Sequence, residues 1–252
     1  MRLKIGAYAP DEEVDWISLL LFGEPGAGKT HFIGTAAEHP DTSPVLLVDI
    51  DGGWKTIRKV KNIDRKQARS YEVVRGIFLD LFNSVTKDKD GKDQLPYKTI
   101  ALDSCSELYK IDLMQVNDAY AKENPKIEEG VPDQRSYYKT GNHITKIIRA
   151  YKDLPCNVIF TAHEGSEEDN FKRKVKFAQF AGQMNIAVPG FVDVVGHLRV
   201  EMQGTEPVRY LQTMKTETLR VKDRLNVFEG VEKAPTFGGL WDKFKADMEG
   251  KK

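Results

Sequence analysis

An α/β fold with a mostly parallel sheet, covered by helices on both faces, is predicted by three observations. Short and almost wholly apolar runs recur at 17–22, 45–50, 99–102 and 157–162. Runs of that length without polar alternation read as strands buried on both faces. Each run ends in glycine or polar residues: Gly23, Asp51-Gly52-Gly53, Asp103 and His163-Glu164. Helical segments lie between the runs, and that alternation implies a parallel sheet.

The first run passes through a glycine loop into a helix expected over 29–38, stopped by Pro40. A second helix is expected over 136–153, where Tyr137, Ile144, Ile148 and Tyr151 form one stripe at helical spacing. The polar stretches 87–94 and 122–134 read as surface connections. After Gly190 the texture changes: 194–201 and 208–214 read as antiparallel strands around a turn at Gly204, and 240–248 as a short helix. Neither an internal repeat nor a low-complexity segment interrupts the pattern. The expectation is one domain over 1–252, with a core over about 16–226 and a C-terminal tail.

A chain of 252 residues is long enough to bury a full core. Its 38 basic and 38 acidic residues balance, so any attraction to nucleic acid must come from a local patch. The two cysteines, Cys105 and Cys156, lie beside apolar runs and read as buried thiols of a reducing compartment. Met1 to Pro10 lacks the apolar stretch of a signal peptide, and no run is long enough to span a bilayer. A cytoplasmic location is expected.

The segment Gly23-Glu24-Pro25-Gly26-Ala27-Gly28-Lys29-Thr30 carries the strongest chemistry. Its glycines let successive N–H groups turn inward on phosphate oxygens, and the following helix aims its positive end at the same point. Lys29 would reach the β- and γ-phosphates of ATP, and the Thr30 hydroxyl would ligate Mg2+. A strand before and a helix after set this P-loop apart from a chance glycine turn. Asp103, at the end of a buried strand, is positioned to hold the same Mg2+. It also precedes Ser104, where a helix would begin, so capping is a compatible role.

In this order the strand ends resemble the RecA-type ATPase core. The resemblance narrows to the core-only RecA-like ATPases of bacteriophages, a group associated with single-strand annealing recombination. It rests on the P-loop, Asp51-Gly52-Gly53, Asp103-Ser104, Thr161-Ala162-His163-Glu164, Pro189-Gly190-Phe191-Val192-Asp193 and Lys222-Asp223-Arg224. It implies that Asp51 activates the attacking water, where the family usually has Glu, which leaves the hydrolysis rate open. A turn residue before Gly52-Gly53 is the plainer reading of Asp51. By the same resemblance His163 is a sensor of the γ-phosphate, against an ordinary structural histidine. Lys222 and Arg224 would act on the ATP of a neighbouring subunit, against protective charges on an edge strand.

The resemblance also places a mobile DNA-binding loop after the sensor strand, over 164–190. Phe171, Lys172, Arg173, Lys174, Lys176, Phe177 and Phe180 interleave cations with aromatics there. That mixture suits single-stranded DNA, since phosphates need cations and unpaired bases stack on rings. The alternative is a solvated loop with its phenylalanines tucked into the core. A second basic stretch over 55–69, with Arg58, Lys59, Lys61, Arg65 and Lys66, reads as a charged helix face that would at most extend a groove. The combined expectation is a homo-oligomeric ATPase with ATP between subunits and single-stranded DNA as partner, with a single-strand-binding protein as a further one. A phosphotransferase and an ATP clamp without turnover are the rivals.

Overall fold

In a computed structural model of the protein, residues 16–124 and 127–250 are described. The expectations for Met1 to Pro10, and for Pro125 and Lys126 in the 122–134 connection, lie outside those residues.

The glycine loop joins β1 (Ser18–Gly23) to α1 (Lys29–Thr35). This helix ends at Ala36, earlier than the expected 38 and well before Pro40. β2 (Val45–Asp49) follows, then a 3-10 turn over Gly53–Ile57 and β3 (Ile63–Gln67). The basic stretch over 55–69 is therefore not a helix face: it is a tight turn and an exposed edge strand. Most of its charges are solvated, and on the edge strand they also discourage pairing with another chain, although Arg65 reaches back to the buried Asp49.

Ser70 starts α2 (Tyr71–Asn83), its side chain accepting from Val73 N at 3.2 Å. A small ribbon, β4 (Thr86–Lys87) and β5 (Asp93–Gln94), fills the expected polar connection. β6 (Thr99–Asp103) runs into α3 (Cys105–Glu123), capped by Ser104. α4 (Gln134–Lys152) buries Ile144, Ile148 and Tyr151 as its pattern predicts, whereas Tyr137 is 45% exposed at its first turn.

β7 (Asn157–Glu168) runs well past the expected strand end and folds back as β8 (Lys174–Ala178). α5 (Met184–Phe191) follows. The segment after His163 is thus a hairpin and a helix rather than an irregular loop. β9 (Val194–Gln203) and β10 (Glu206–Gln212) form the expected antiparallel pair, with Gly204 turning at φ 63°. β11 (Lys222–Asp223), β12 (Val231–Lys233) and α6 (Phe237–Gly250) complete the chain.

The main sheet runs β12-β10-β9-β1-β7-β6-β2-β3, parallel from β9 to β3, with β10 and β11 antiparallel to β9 and β12 antiparallel to β10. This is the mostly parallel α/β sheet, with antiparallel strands added near the C-terminus, that the sequence predicts. Alternate residues of β1 enter different cores. Leu20 and Phe22 pack with α2, α3, α4 and α5, while Leu19 and Leu21 pack with α1 and α6. Two-sided burial explains the unbroken apolar runs. It also brings the ends of β1, β2, β6 and β7 together at one edge of the sheet. No helix among the described residues is long and apolar enough to cross a membrane.

Candidate active site

β1 delivers the chain into the loop at Gly23. Gly28 caps α1 at φ 98°, a left-handed conformation costly for any residue with a Cβ. Lys29 folds back over the loop, its Nζ donating to the carbonyls of Gly23 at 2.8 Å and Glu24 at 3.1 Å. Burial pushes the ammonium below the usual lysine range, against the opposing pull of Asp103, Asp51 and Glu164. A desolvated cation ringed by backbone dipoles suits a polyphosphate.

The Thr30 hydroxyl donates to Asp103 Oδ2 at 2.5 Å, and the Thr161 hydroxyl donates to the other carboxylate oxygen. Asp103 is 1% exposed, and burial raises its carboxyl despite both hydroxyl bonds. Gly53 shows how tightly these groups converge. A Cβ at that position would lie 2.8 Å from Thr30 Oγ1, 3.1 Å from Asp51 Oδ1 and 3.5 Å from Asp103 Oδ2. Hard oxygen donors around a space that only glycine leaves open fit Mg2+, which takes one or two protein ligands and fills its shell from water and phosphate. Thr30 and Asp103 would hold it. Among the described residues there is no cluster of three or more His, Cys, Asp or Glu of the kind that forms a closed metal cage.

Asp51 reaches this cluster from the turn after β2. Its Oδ1 accepts from Gly53 N at 2.9 Å, so it makes the turn and also faces Thr30. The turn is braced by a residue the sequence did not single out. Asp49, fully buried, accepts from Gly52 N at 3.0 Å and from Arg65 at 2.6 and 2.9 Å. Arg65 in turn stacks on Trp54, 4.6 Å from the ring centroid, and Arg69 donates to Ile50 O. Acid in a buried strand two positions before Asp51 was a visible signal, but its partner became evident only once β3 paired with β2.

His163 stands at the same edge, next to Gly23 in the β1–β7 register. Its backbone N–H donates to Ser106 Oγ at 2.9 Å. Burial lowers its imidazole, and Lys110 and Lys29 push the same way, against Asp51 and Glu107. Strand alternation puts Thr161 and His163 on one face of β7 and Glu164 on the other. Glu164 is engaged there by His197 at 2.7 Å and Lys176 at 2.8 Å. Burial alone would raise its carboxyl, but those two bonds hold it below the usual range. It faces away from the Thr30–Asp103 cluster.

Lys222 and Arg224 lie elsewhere. β11 pairs with Val194 and Val195 at the start of β9, the end of the sheet remote from the loop. Lys222 Nζ donates to Pro189 O at 2.7 Å and Val192 O at 2.6 Å, closing the end of α5. Burial, then Arg224, lowers its pKa. Arg224 donates to Gly190 O at 2.9 Å and lies 3.8 Å from Asp193, with more than half of its side chain exposed. Neither touches the phosphate site of its own chain.

The residues expected on DNA divide. Phe171, 78% exposed, sits with Lys172 and Arg173 at the tip of the β7–β8 hairpin, and Lys174 opens β8. Arg173 is paired with Asp169 at 2.8 Å and with Glu217. Three expectations need correction. Phe177 and Phe180 are 6% and 8% exposed, packed inward from the hairpin base, so neither ring offers a face to a base. Lys176 points toward the P-loop, neutralised by Glu164 and 4.0 Å from Glu24.

Among solved structures, a KaiC-like protein, PH0186, from the hyperthermophilic archaeon Pyrococcus horikoshii OT3 is similar at 14% identity. The match covers 87% of this chain and 89% of that one, with a TM-score of 0.43. No curated protein matches the chain. The chain also matches a family of AAA domains over residues 16–225, a span that takes in the P-loop, Asp51, Asp103, His163, Lys222 and Arg224. By that match, over most of its length, the chain belongs to the AAA domain family.

Proposed function

We propose that the protein is a magnesium-dependent ATPase that binds single-stranded DNA and promotes strand annealing or recombination as a homo-oligomer. The observation that carries this reading is the continuity of β7. One strand holds Thr161 and His163 at the nucleotide edge, then runs without a break into the hairpin that exposes Phe171. A change at the phosphate end therefore has a short, stiff route to a ring and cations at the tip.

In this reading the site residues have the following roles. Lys29 and the loop N–H groups bind the phosphates of ATP, and Thr30 with Asp103 holds Mg2+. Asp51 orients and deprotonates the attacking water, and His163 reports the γ-phosphate. Lys222 and Arg224, remote from their own loop, serve a neighbouring subunit. Phe171, Lys172 and Lys174 contact DNA, with Arg173 placed by its acidic partners.

The test is steady-state ATP hydrolysis with and without single-stranded DNA, alongside oligonucleotide binding with ATP, ADP or no nucleotide. Stimulation by DNA and tighter DNA binding with ATP are expected. ATP binding without turnover would support an ATP clamp, and absence of DNA binding by assembled, ATP-bound protein would overturn the recombination reading.

A further inference from the structure

The β9–β10 hairpin rises above the edge of the sheet on the side of the P-loop away from the magnesium cluster. Phe22, the residue before the loop, is level with His197, so β9 from Leu198 to Gln203 overshoots β1. β10 returns beside it, with Leu211 opposite Leu198, Arg209 opposite Val200 and Pro207 opposite Met202. Leu198 and Leu211 are buried in the core shared with α1. Strand alternation therefore puts Val200, Met202, Pro207 and Arg209 on that same face, above the start of α1.

Arg209 is the unusual member. Its side chain occupies the space where a Cβ of Gly28 would be: Nε lies 2.4 Å and Cδ 3.1 Å from that position. Its Nε is buried with no hydrogen-bond partner, and no carboxylate among the described residues pairs with it. Arg199, on the other face, is fully engaged by Glu201 at 2.6 Å and Gln212 at 3.0 Å. A guanidinium brought against a phosphate loop without an acid of its own lacks an anion. Beside it Val200 and Met202 are 40% and 64% exposed, although Leu198 and Val194 on the same face of the strand are buried.

We propose that this hairpin face is the nucleoside subsite, with Arg209 bound to the α-phosphate and Val200 and Met202 covering the base or ribose. The proposal rests on the ATP-binding reading. Lys29, Thr30, Asp103 and His163 hold the terminal phosphates on the β7–β6 flank, so the rest of the nucleotide leaves on the β9–β10 flank. There the hairpin supplies a cation followed by apolar surface, in the order that an α-phosphate and a nucleoside require. Gly28 then has a second purpose beyond its backbone angle, since any side chain would displace Arg209.

Calorimetric titration of ADP, ATP and pyrophosphate tests this on the full chain. Arg209→Met keeps the aliphatic stem; it should weaken ADP and ATP alike by about tenfold or more, the scale of one charge-assisted hydrogen bond, and leave pyrophosphate within about twofold. Met202→Gln, at an exposed position, should weaken both nucleotides by about threefold or more with pyrophosphate unchanged. Unchanged ADP affinity in folded Arg209→Met overturns the proposal, as does an equal loss for pyrophosphate, which would mean that Arg209 merely shapes the loop. If Arg209→Met does not fold, Met202→Gln decides by the same criteria. A folded parent that binds neither ADP nor ATP would instead sink the nucleotide reading, and this subsite with it.

Discussion

Thr30 Oγ1 and Asp103 Oδ2 lie 2.5 Å apart, the hydroxyl donating to a carboxylate that is itself almost wholly buried. The pair joins the first turn of α1 to the end of β6, two elements distant in sequence, and it defines where Mg2+ would sit. Burying a carboxylate is costly unless something compensates for its charge. Two hydroxyls and Lys29 compensate only in part, since the carboxyl remains raised.

Asp103→Asn should therefore separate stability from function. Removing the ionisable acid should leave the melting temperature of the nucleotide-free protein equal or higher, by about 2–4 °C for each kcal/mol recovered. Stabilisation by Mg2+ and ATP together should largely disappear, and hydrolysis with it. Thermal melts with and without Mg2+ and ATP check both halves. A variant that hydrolyses ATP normally would remove Asp103 from the metal site.

Lys29→Ala deletes the buried cation of the loop. Each charge-assisted bond to phosphate is worth about 1.5–3 kcal/mol, so ATP affinity should fall by at least about tenfold. Fluorescent nucleotide titration reads this. The fold should survive, because the bonds lost in the free protein are only those to Gly23 O and Glu24 O.

His163 offers a pH test. Its folded pKa is lowered from 6.5, so the neutral form is favoured by folding. The stabilisation it contributes is fully present above pH 6.5 and is lost as pH falls through the lowered folded value. Binding of ATP adds negative charge near the ring and should move that value upward. If the ring senses the γ-phosphate, ADP should move it much less. NMR titration of the imidazole in the free, ADP and ATP states decides, and equal shifts with both nucleotides would remove the sensor role.

Lys222 and Arg224 should behave differently from each other despite their spacing. Lys222→Ala exposes the carbonyls of Pro189 and Val192 and should cost about 1–3 kcal/mol of stability. Arg224→Ala should leave stability within about 0.5 kcal/mol but abolish hydrolysis in the oligomer. Mixing inactive Arg224→Ala with inactive Lys29→Ala should restore activity at hybrid interfaces. Co-assembled mixtures with no recovery would argue against a shared site.

At the hairpin, Phe171→Ala should weaken single-strand binding by about 1–3 kcal/mol with little change in its salt slope. Lys172→Ala and Lys174→Ala should instead flatten that slope by about 0.7 each. Phe177→Ala should act mainly by lowering the melting temperature, because its ring is buried. Oligonucleotide binding at several salt concentrations, paired with melts, distinguishes the three patterns.

The P-loop, the strand ends at Asp51, Asp103 and His163, and the mostly parallel α/β class were legible in the linear chain. Each depends on local rules: a glycine spacing, an apolar run of strand length, and a polar residue where that run stops. Two-sided burial writes the parallel strands into composition, so tertiary contact was not needed to find them. What only the folded chain decided concerns partners distant in sequence. Arg65 meets Asp49 because β3 pairs with β2, and β3 itself was hidden by its exposed, charged edge position. Lys176 and Phe177 look alike in sequence as parts of a basic, aromatic stretch. Strand pairing of β8 with β7 sends one to Glu164 and the other into the protein. Arg209 carries no motif at all; it meets Gly28 only because the β9–β10 register lifts it above the end of β1. Sequence determines which residues can form a strand or a loop, whereas register and alternation determine which face, and which neighbour, each side chain receives.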